Sequence, residues 1–205
     1  MKPEDIESLS FNIIDEEAGN HGFNRKEWSI VRRMIHTSAD FEYINSIRFS
    51  GDPIAVGVKA IRSGKNIITD TEMARSGIRK KSVEQFGGQV SCLINDKNVV
   101  AMAKEEGSTR ARMAVDLSIN TIEGGIYAVG NAPTALLRLI ELINADKIKP
   151  ALILGFPVGF VNAAESKALL SKTNIPFITN VGRKGGSNIV ASVVNALIIL
   201  AEESR

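Results

Sequence analysis

The chain has 205 residues, 44% of them hydrophobic, enough for one sizeable core in a single domain spanning residues 1–205. Its 25 basic and 23 acidic residues leave a net charge of +2, and only 5% of residues are aromatic, so neither a global field for nucleic acid nor a stacking platform for single strands is expected. Cys92 is the only cysteine, which excludes an internal disulfide and a cysteine-cluster metal site and leaves a buried, idle thiol as its expected state. The opening segment MKPEDIESLS lacks the basic-then-apolar order of a signal peptide. No apolar run approaches the roughly 20 residues that span a bilayer, and the longest, Ile189 to Ala201, is broken by Ser192 and Asn195. No membrane partner is expected, and the chain reads as soluble and cytoplasmic.

In chain order, Pro3 to Glu17 is expected to form a helix, with Ile6, Leu9, Ile13 and Ile14 at helical spacing and Pro3 tolerated in the first turn. Gly19 and Gly22 end it. A second helix starts at Asn24, whose side chain can cap the amides while Glu27 three places on completes a capping box. Trp28, Val31 and Ile35 form its apolar stripe. At about 100° per residue, His36 falls roughly 80° from Trp28 and 40° from Arg32, on the border between the stripe and the basic face. His21, the other histidine, reads as loop.

From Gly51 onward short apolar runs alternate with helical stretches. Strands are expected at Asn66 to Thr69, Gln89 to Ile94, Gly125 to Val129, Ala151 to Leu154 and Pro176 to Thr179. Helices are expected at Asp96 to Ile119, Ala132 to Ala145, Val161 to Leu170 and Ser187 to Glu203. This alternation predicts a three-layer α/β fold: a mostly parallel sheet with helices on both faces.

His36 is the first candidate for chemistry. Histidine titrates near neutrality, at about pH 6.5 when unperturbed. The negative end of a helix dipole and Asp40 are both expected to favour the imidazolium, the form a general acid needs. The rival reading is a half-exposed helix histidine that only packs. Three glycine-bearing loops follow expected strands and lead into helices: Gly130-Asn131-Ala132-Pro133-Thr134, Gly155-Phe156-Pro157-Val158-Gly159 and Gly182-Arg183-Lys184-Gly185-Gly186-Ser187. In an open parallel sheet these ends line the crevice where ligands bind, and free amides at a helix start receive carboxylate or phosphate.

Each loop has a bland alternative. Asn131 can be no more than a helix cap with Pro133 in the first turn, and Arg183 with Lys184 a basic surface turn. Arg110 either grips a carboxylate or lies on a solvated helix face. Glu165 and Lys167 carry the same ambiguity. Asp70 either orients a basic group or caps a helix through Thr71 and Glu72. Neither GxxxxGK with Ser or Thr nor GxGxxG after a strand is present, which removes the main support for a nucleotide binder.

Taken in order, Ser10-Phe11, RRMIHTSAD, GNAPTAL, GFPVGFV followed by AESK, and GRKGGS resemble the precorrin-8X methylmutase family, including its cobalt-precorrin-8 branch. The match runs over nearly the whole chain. The resemblance implies an isomerase of cobalamin (vitamin B12) biosynthesis that moves a methyl group from C11 to C12 of (cobalt-)precorrin-8, giving (cobalt-)hydrogenobyrinic/cobyrinic acid. It implies a tetrapyrrole substrate, no metal, flavin or nicotinamide cofactor, and a homodimer with the macrocycle at or beside the subunit interface.

Residue by residue, the resemblance matches His36 to the catalytic proton donor and acceptor and Ser10 to a substrate-contacting serine on the first helix. It makes Arg110, Asn131, Thr134 and the loop of Arg183, Lys184, Gly185, Gly186 and Ser187 contributors to substrate binding. Where the family often carries an aromatic residue a few places before the proline matching Pro3, this chain has Met1 and Lys2. A noncatalytic corrinoid carrier is the alternative from another class. Whether the substrate already holds cobalt is not readable from these residues.

Overall fold

A computed structural model describes residues 3–203; Met1 and Lys2, where the chain departs from the family pattern, lie outside them. The elements are α1 (Pro3–Ala18), α2 (Arg25–Ser38), α3 (Tyr43–Ser46), β1 (Ile47–Ser50), α4 (Pro53–Arg62), β2 (Ile67–Thr69), α5 (Glu72–Gly77), α6 (Lys80–Glu84) and β3 (Val90–Cys92). They continue with α7 (Lys97–Glu105), α8 (Arg110–Leu117), β4 (Ile126–Val129), α9 (Pro133–Asn144), β5 (Leu152–Gly155), α10 (Ala163–Leu170), β6 (Phe177–Asn180) and α11 (Ser187–Glu203).

The strands form one sheet in the order β1-β6-β5-β4-β2-β3. β2 to β6 run parallel, and β1 pairs antiparallel with β6, Ile47 opposite Asn180 and Ser50 opposite Phe177. Every residue of β2, β4, β5 and β6 is buried, as expected for parallel strands covered on both faces. α2, α4, α5 and α11 pack together on one side, while α8, α9 and α10 pack on the other. The expected three-layer architecture is present.

Several details differ from the sequence reading, beginning with α3, α4, α5 and α6, which were not among the expected helices. The helical stretch from Asp96 to Ile119 is two helices, because Gly107 takes a left-handed conformation (φ 59°) and Thr109 then caps α8, its hydroxyl accepting the Arg112 N–H at 3.2 Å. β1 was not expected. Among the residues of α1 whose burial is described, Ile14 alone is buried, whereas Ile6, Leu9 and Ile13 remain 52%, 48% and 47% exposed; this helix lies on α2 and turns its apolar stripe outward.

Because the five parallel strands point the same way, their C-terminal ends share one edge of the sheet. β1 runs oppositely, so its first residue joins them there, with the Val181 N–H donating to Ser46 O at 2.8 Å. The C-terminal end of α2 is therefore led, through α3, to the edge that carries the glycine loops. That placement brings the C-terminal turn of α2, with His36, toward the same edge.

Candidate active site

α2 begins as the sequence predicts. Asn24 Oδ1 accepts the N–H groups of Lys26 and Glu27, both at 3.0 Å, and Glu27 Oε2 accepts the Asn24 N–H at 3.0 Å. The helix ends at Ala39, left-handed at φ 52°, whose N–H closes onto Ile35 O. His36 lies in this last turn and is exposed, against the Phe11 ring of α1 at a centroid distance of 5.2 Å and an interplanar angle of 60°. Phe11 also carries the guanidinium of Arg32 at 4.3 Å and that of Arg33 at 5.1 Å. Ser10, one residue earlier, donates its hydroxyl proton to Ile6 O at 2.8 Å, leaving oxygen lone pairs to accept.

Asp40 follows the turn, but its carboxylate is committed elsewhere. Oδ1 accepts the Glu42 N–H at 3.0 Å, and Oδ2 accepts from Lys184 Nζ at 2.5 Å; Lys184 also pairs with Glu42. Burial alone would raise the Asp40 carboxyl, but the hydrogen bond and charge of Lys184 with the Glu42 amide outweigh it and hold it below the usual value. Lys184 is held above its ordinary value by the same carboxylates. The turn behind His36 and the GRKGGS loop are thereby joined.

Within that loop the residues divide by role. Arg183 and Lys184 are exposed, and the Arg183 guanidinium stands 5.4 Å from the ring of Phe160, itself 83% exposed. Gly185 and Gly186 press against the GFPVGF loop: a Cβ at Gly185 would lie 2.2 Å from Phe156 O, and the Gly186 N–H donates to that same oxygen at 3.0 Å. Ser187 is buried at the start of α11, its hydroxyl 2.8 Å from that of Thr71. The cations face outward while the small residues fix the backbone beneath them.

The GNAPTAL loop holds a correction. Its amides were expected to be open to an anion, yet the protein fills them itself: Asp70 Oδ1 accepts the Gly130 N–H at 2.8 Å, and Oδ2 accepts those of Asn131 at 2.8 Å and Ala132 at 2.7 Å. Asp70 is 1% exposed. Burial pushes its carboxyl above the ordinary carboxylate range, and the three amides pull against that rise. It caps this loop rather than the helix after it, which Thr71 caps through the Ala74 N–H. The N-cap of α9 is Ala132, so Asn131 is not the cap and its side chain is free on the surface.

Arg110 and Thr134 stand farther along the same edge. Arg110 Nη1 donates to Asn95 Oδ1 at 3.2 Å, and the Thr109 and Thr134 hydroxyls meet at 2.9 Å. Among the described residues no hydrogen bond or ion pair joins this cluster to His36 or Lys184. β6 and β4 are separated by β5, so at about 4.8 Å per strand step their loops lie roughly 10 Å apart. Cys92, expected to be buried, is only half-buried, and burial raises its thiol.

Two features escaped the sequence reading. A groove of about 670 Å³ runs between α2 and α11, lined among others by Arg25, Trp28, Arg32, Arg33, Ile199 and Leu200. His36 does not line it but sits one turn beyond Arg32. Lys167, whose place on the surface was left open, is 2% exposed. Its Nζ donates to Lys184 O at 2.7 Å and to Asn180 Oδ1 at 3.2 Å, and burial lowers its ammonium to about 8. The signal was present: Ala163, Ser166, Lys167 and Leu170 form the buried stripe of α10 at helical spacing.

With this geometry in view, the comparisons agree. The sequence model of the precorrin-8X methylmutase family matches residues 5–200. The cobalt-precorrin-8 methylmutase of Priestia megaterium is 48% identical over 98% of this chain and 90% of its own length, and the precorrin-8X methylmutase of Pseudomonas aeruginosa is 38% identical over 92% and 91%. A crystal structure of the precorrin-8X methylmutase from Thermus thermophilus superposes with a TM-score of 0.92 at 45% identity, covering 98% of this chain and 97% of that one.

Proposed function

The chain belongs to the precorrin-8X methylmutase family, isomerases of cobalamin biosynthesis, and we propose that it moves a methyl group from C11 to C12 of cobalt-precorrin-8 with His36 as proton donor and acceptor. The imidazolium lends a proton to the conjugated macrocycle, the methyl group breaks its bond to C11 and forms one to C12, and the proton returns to the imidazole. Nothing is gained or lost overall. A positioned general acid of this kind contributes about 10² to 10⁴ in rate. Holding the ring in its product-like shape supplies the rest through differential binding.

The observation that carries this reading is the Lys184–Asp40 contact, which ties the turn after the exposed His36 to the loop that carries Arg183 and Lys184, two cations suited to a polycarboxylate. Ser10 and the surface side chain of Asn131, with Arg110 and Thr134, are further contacts to the substrate rim. The choice of the cobalt form rests on relatives 48%, 43% and 41% identical being cobalt-precorrin-8 methylmutases, whereas the precorrin-8X enzymes of Pseudomonas aeruginosa and Sinorhizobium are 38% identical. The outward stripe of Ile6, Leu9 and Ile13, beside Ser10 and Phe11, supports a second copy packing there, with the macrocycle near that interface.

The test is His36→Ala with cobalt-precorrin-8 and its metal-free counterpart, followed by absorbance. Loss of the corrin spectrum with retained binding is expected; undiminished turnover removes His36 from the mechanism. Conversion of substrate in excess over wild-type protein separates a catalyst from a stoichiometric carrier.

A further inference from the structure

We infer that Lys167 is a positioning residue for the substrate site, its buried ammonium fixing the backbone of the loop that presents Arg183 and Lys184 beside His36. The inference rests on the reading that this loop meets the substrate. Lys167 lies on α10, facing the end of β6, and reaches the Lys184 carbonyl, which Asn180 Nδ2 also holds at 2.9 Å. Both donors grip one oxygen, and the side chain on the far side of that same residue grips Asp40. A continuous line of contacts thus runs from α10 through the loop backbone to the turn that carries His36.

The electrostatics argue against a merely space-filling role. Among the described residues no carboxylate lies within ion-pair distance of Lys167 Nζ, and its acceptors are neutral carbonyl oxygens. A buried cation without a counter-charge costs free energy, and an apolar side chain removes that cost while leaving the buried Asn180 Oδ1 without its donor, so the two changes largely offset. Methionine would fill the stripe of α10. What it would not supply is a charge-assisted donor, the stronger kind of hydrogen bond, aimed at the Lys184 carbonyl. The lysine adds little to stability and orders the loop.

The clamp is tested in the full-length chain with Lys167→Met. Limited trypsin digestion after Arg183 and Lys184 reads loop order without substrate, thermal unfolding reads the fold, and steady-state kinetics with cobalt-precorrin-8 read function. Expected are an unfolding midpoint close to wild type, loop cleavage about tenfold faster, and KM about tenfold higher with kcat little changed, a factor matching one charge-assisted hydrogen bond. Combined with Lys184→Ala, the effects on KM should multiply to less than their product, because both act through one loop. Should Lys167→Met fold poorly, Asn180→Ala, which removes the other grip on the Lys184 carbonyl, is expected to raise cleavage and KM alike.

Unchanged cleavage, or faster cleavage with unaltered KM, overturns the inference. So does a parallel fall in midpoint and kcat, which marks a structural residue. A wild-type protein that converts no substrate would sink the functional reading instead, and the cleavage rates would still decide the clamp.

Discussion

Lys184 Nζ and Asp40 Oδ2 lie 2.5 Å apart although 144 residues separate them in sequence. The contact joins the loop after β6 to the turn after α2, and the Lys184 side chain is 51% exposed. An exposed pair of this kind adds little to stability and is weakened by salt. Lys184→Ala is therefore expected to leave the urea unfolding midpoint nearly unchanged while raising KM about tenfold, the loss of about one charged contact to substrate. A lowered midpoint with wild-type KM would show the pair to be structural.

Asp70→Asn should be destabilising. The carboxylate accepts three N–H groups from two oxygens while 1% exposed, and an amide presents a donor to at least one of them. At about 1–3 kcal/mol for each buried group left unpaired, a loss of roughly 3 kcal/mol is expected in urea unfolding. A change below about 1 kcal/mol would mean that the loop re-forms its bonds elsewhere.

The stability of Lys167→Met relative to wild type should depend on pH. Burial lowers the Lys167 ammonium from its ordinary 10.5 to about 8, so between those values the folded chain binds fewer protons than the unfolded one and wild-type stability rises with pH. Below pH 8 the cost of the buried charge weighs on the wild type alone. The advantage of Lys167→Met is expected to be largest below pH 8 and to shrink from pH 8 towards 10.5. A gap that stays flat or widens over that window contradicts the assignment.

Leu9→Asp places a charge in the middle of the exposed stripe of α1. If a second copy covers that stripe, sedimentation should shift from dimer to monomer without a change in helical content. A wild-type monomer, or a variant that stays dimeric, would move the interface elsewhere.

The sequence marked the parallel strands to within a residue or two because their apolar runs are bounded by glycine and proline, and it marked α2 through Asn24 and Glu27. β1 escaped because its alternation, Ile47-Arg48-Phe49-Ser50, lasts only four residues, on an edge strand. The place of His36, exposed in the last turn of an amphipathic helix, was legible as well. Asp70 and Lys167 were not, since the partners that define them lie 60 to 62 and 13 to 17 residues away. A carboxylate directly after an apolar strand and a lysine inside a buried helical stripe are both signs of tertiary partners. Each was read as a local or surface group.

The seal that Asp70 makes over the Gly130 to Ala132 amides has a consequence for selectivity. The parallel strands reverse order between β2 and β4, the place where sheets of this kind ordinarily admit a phosphate. Here any such guest would have to evict a resident anion bound by three short bonds. The cradle is thus filled when the chain folds, before any ligand arrives, by a side chain of the protein itself.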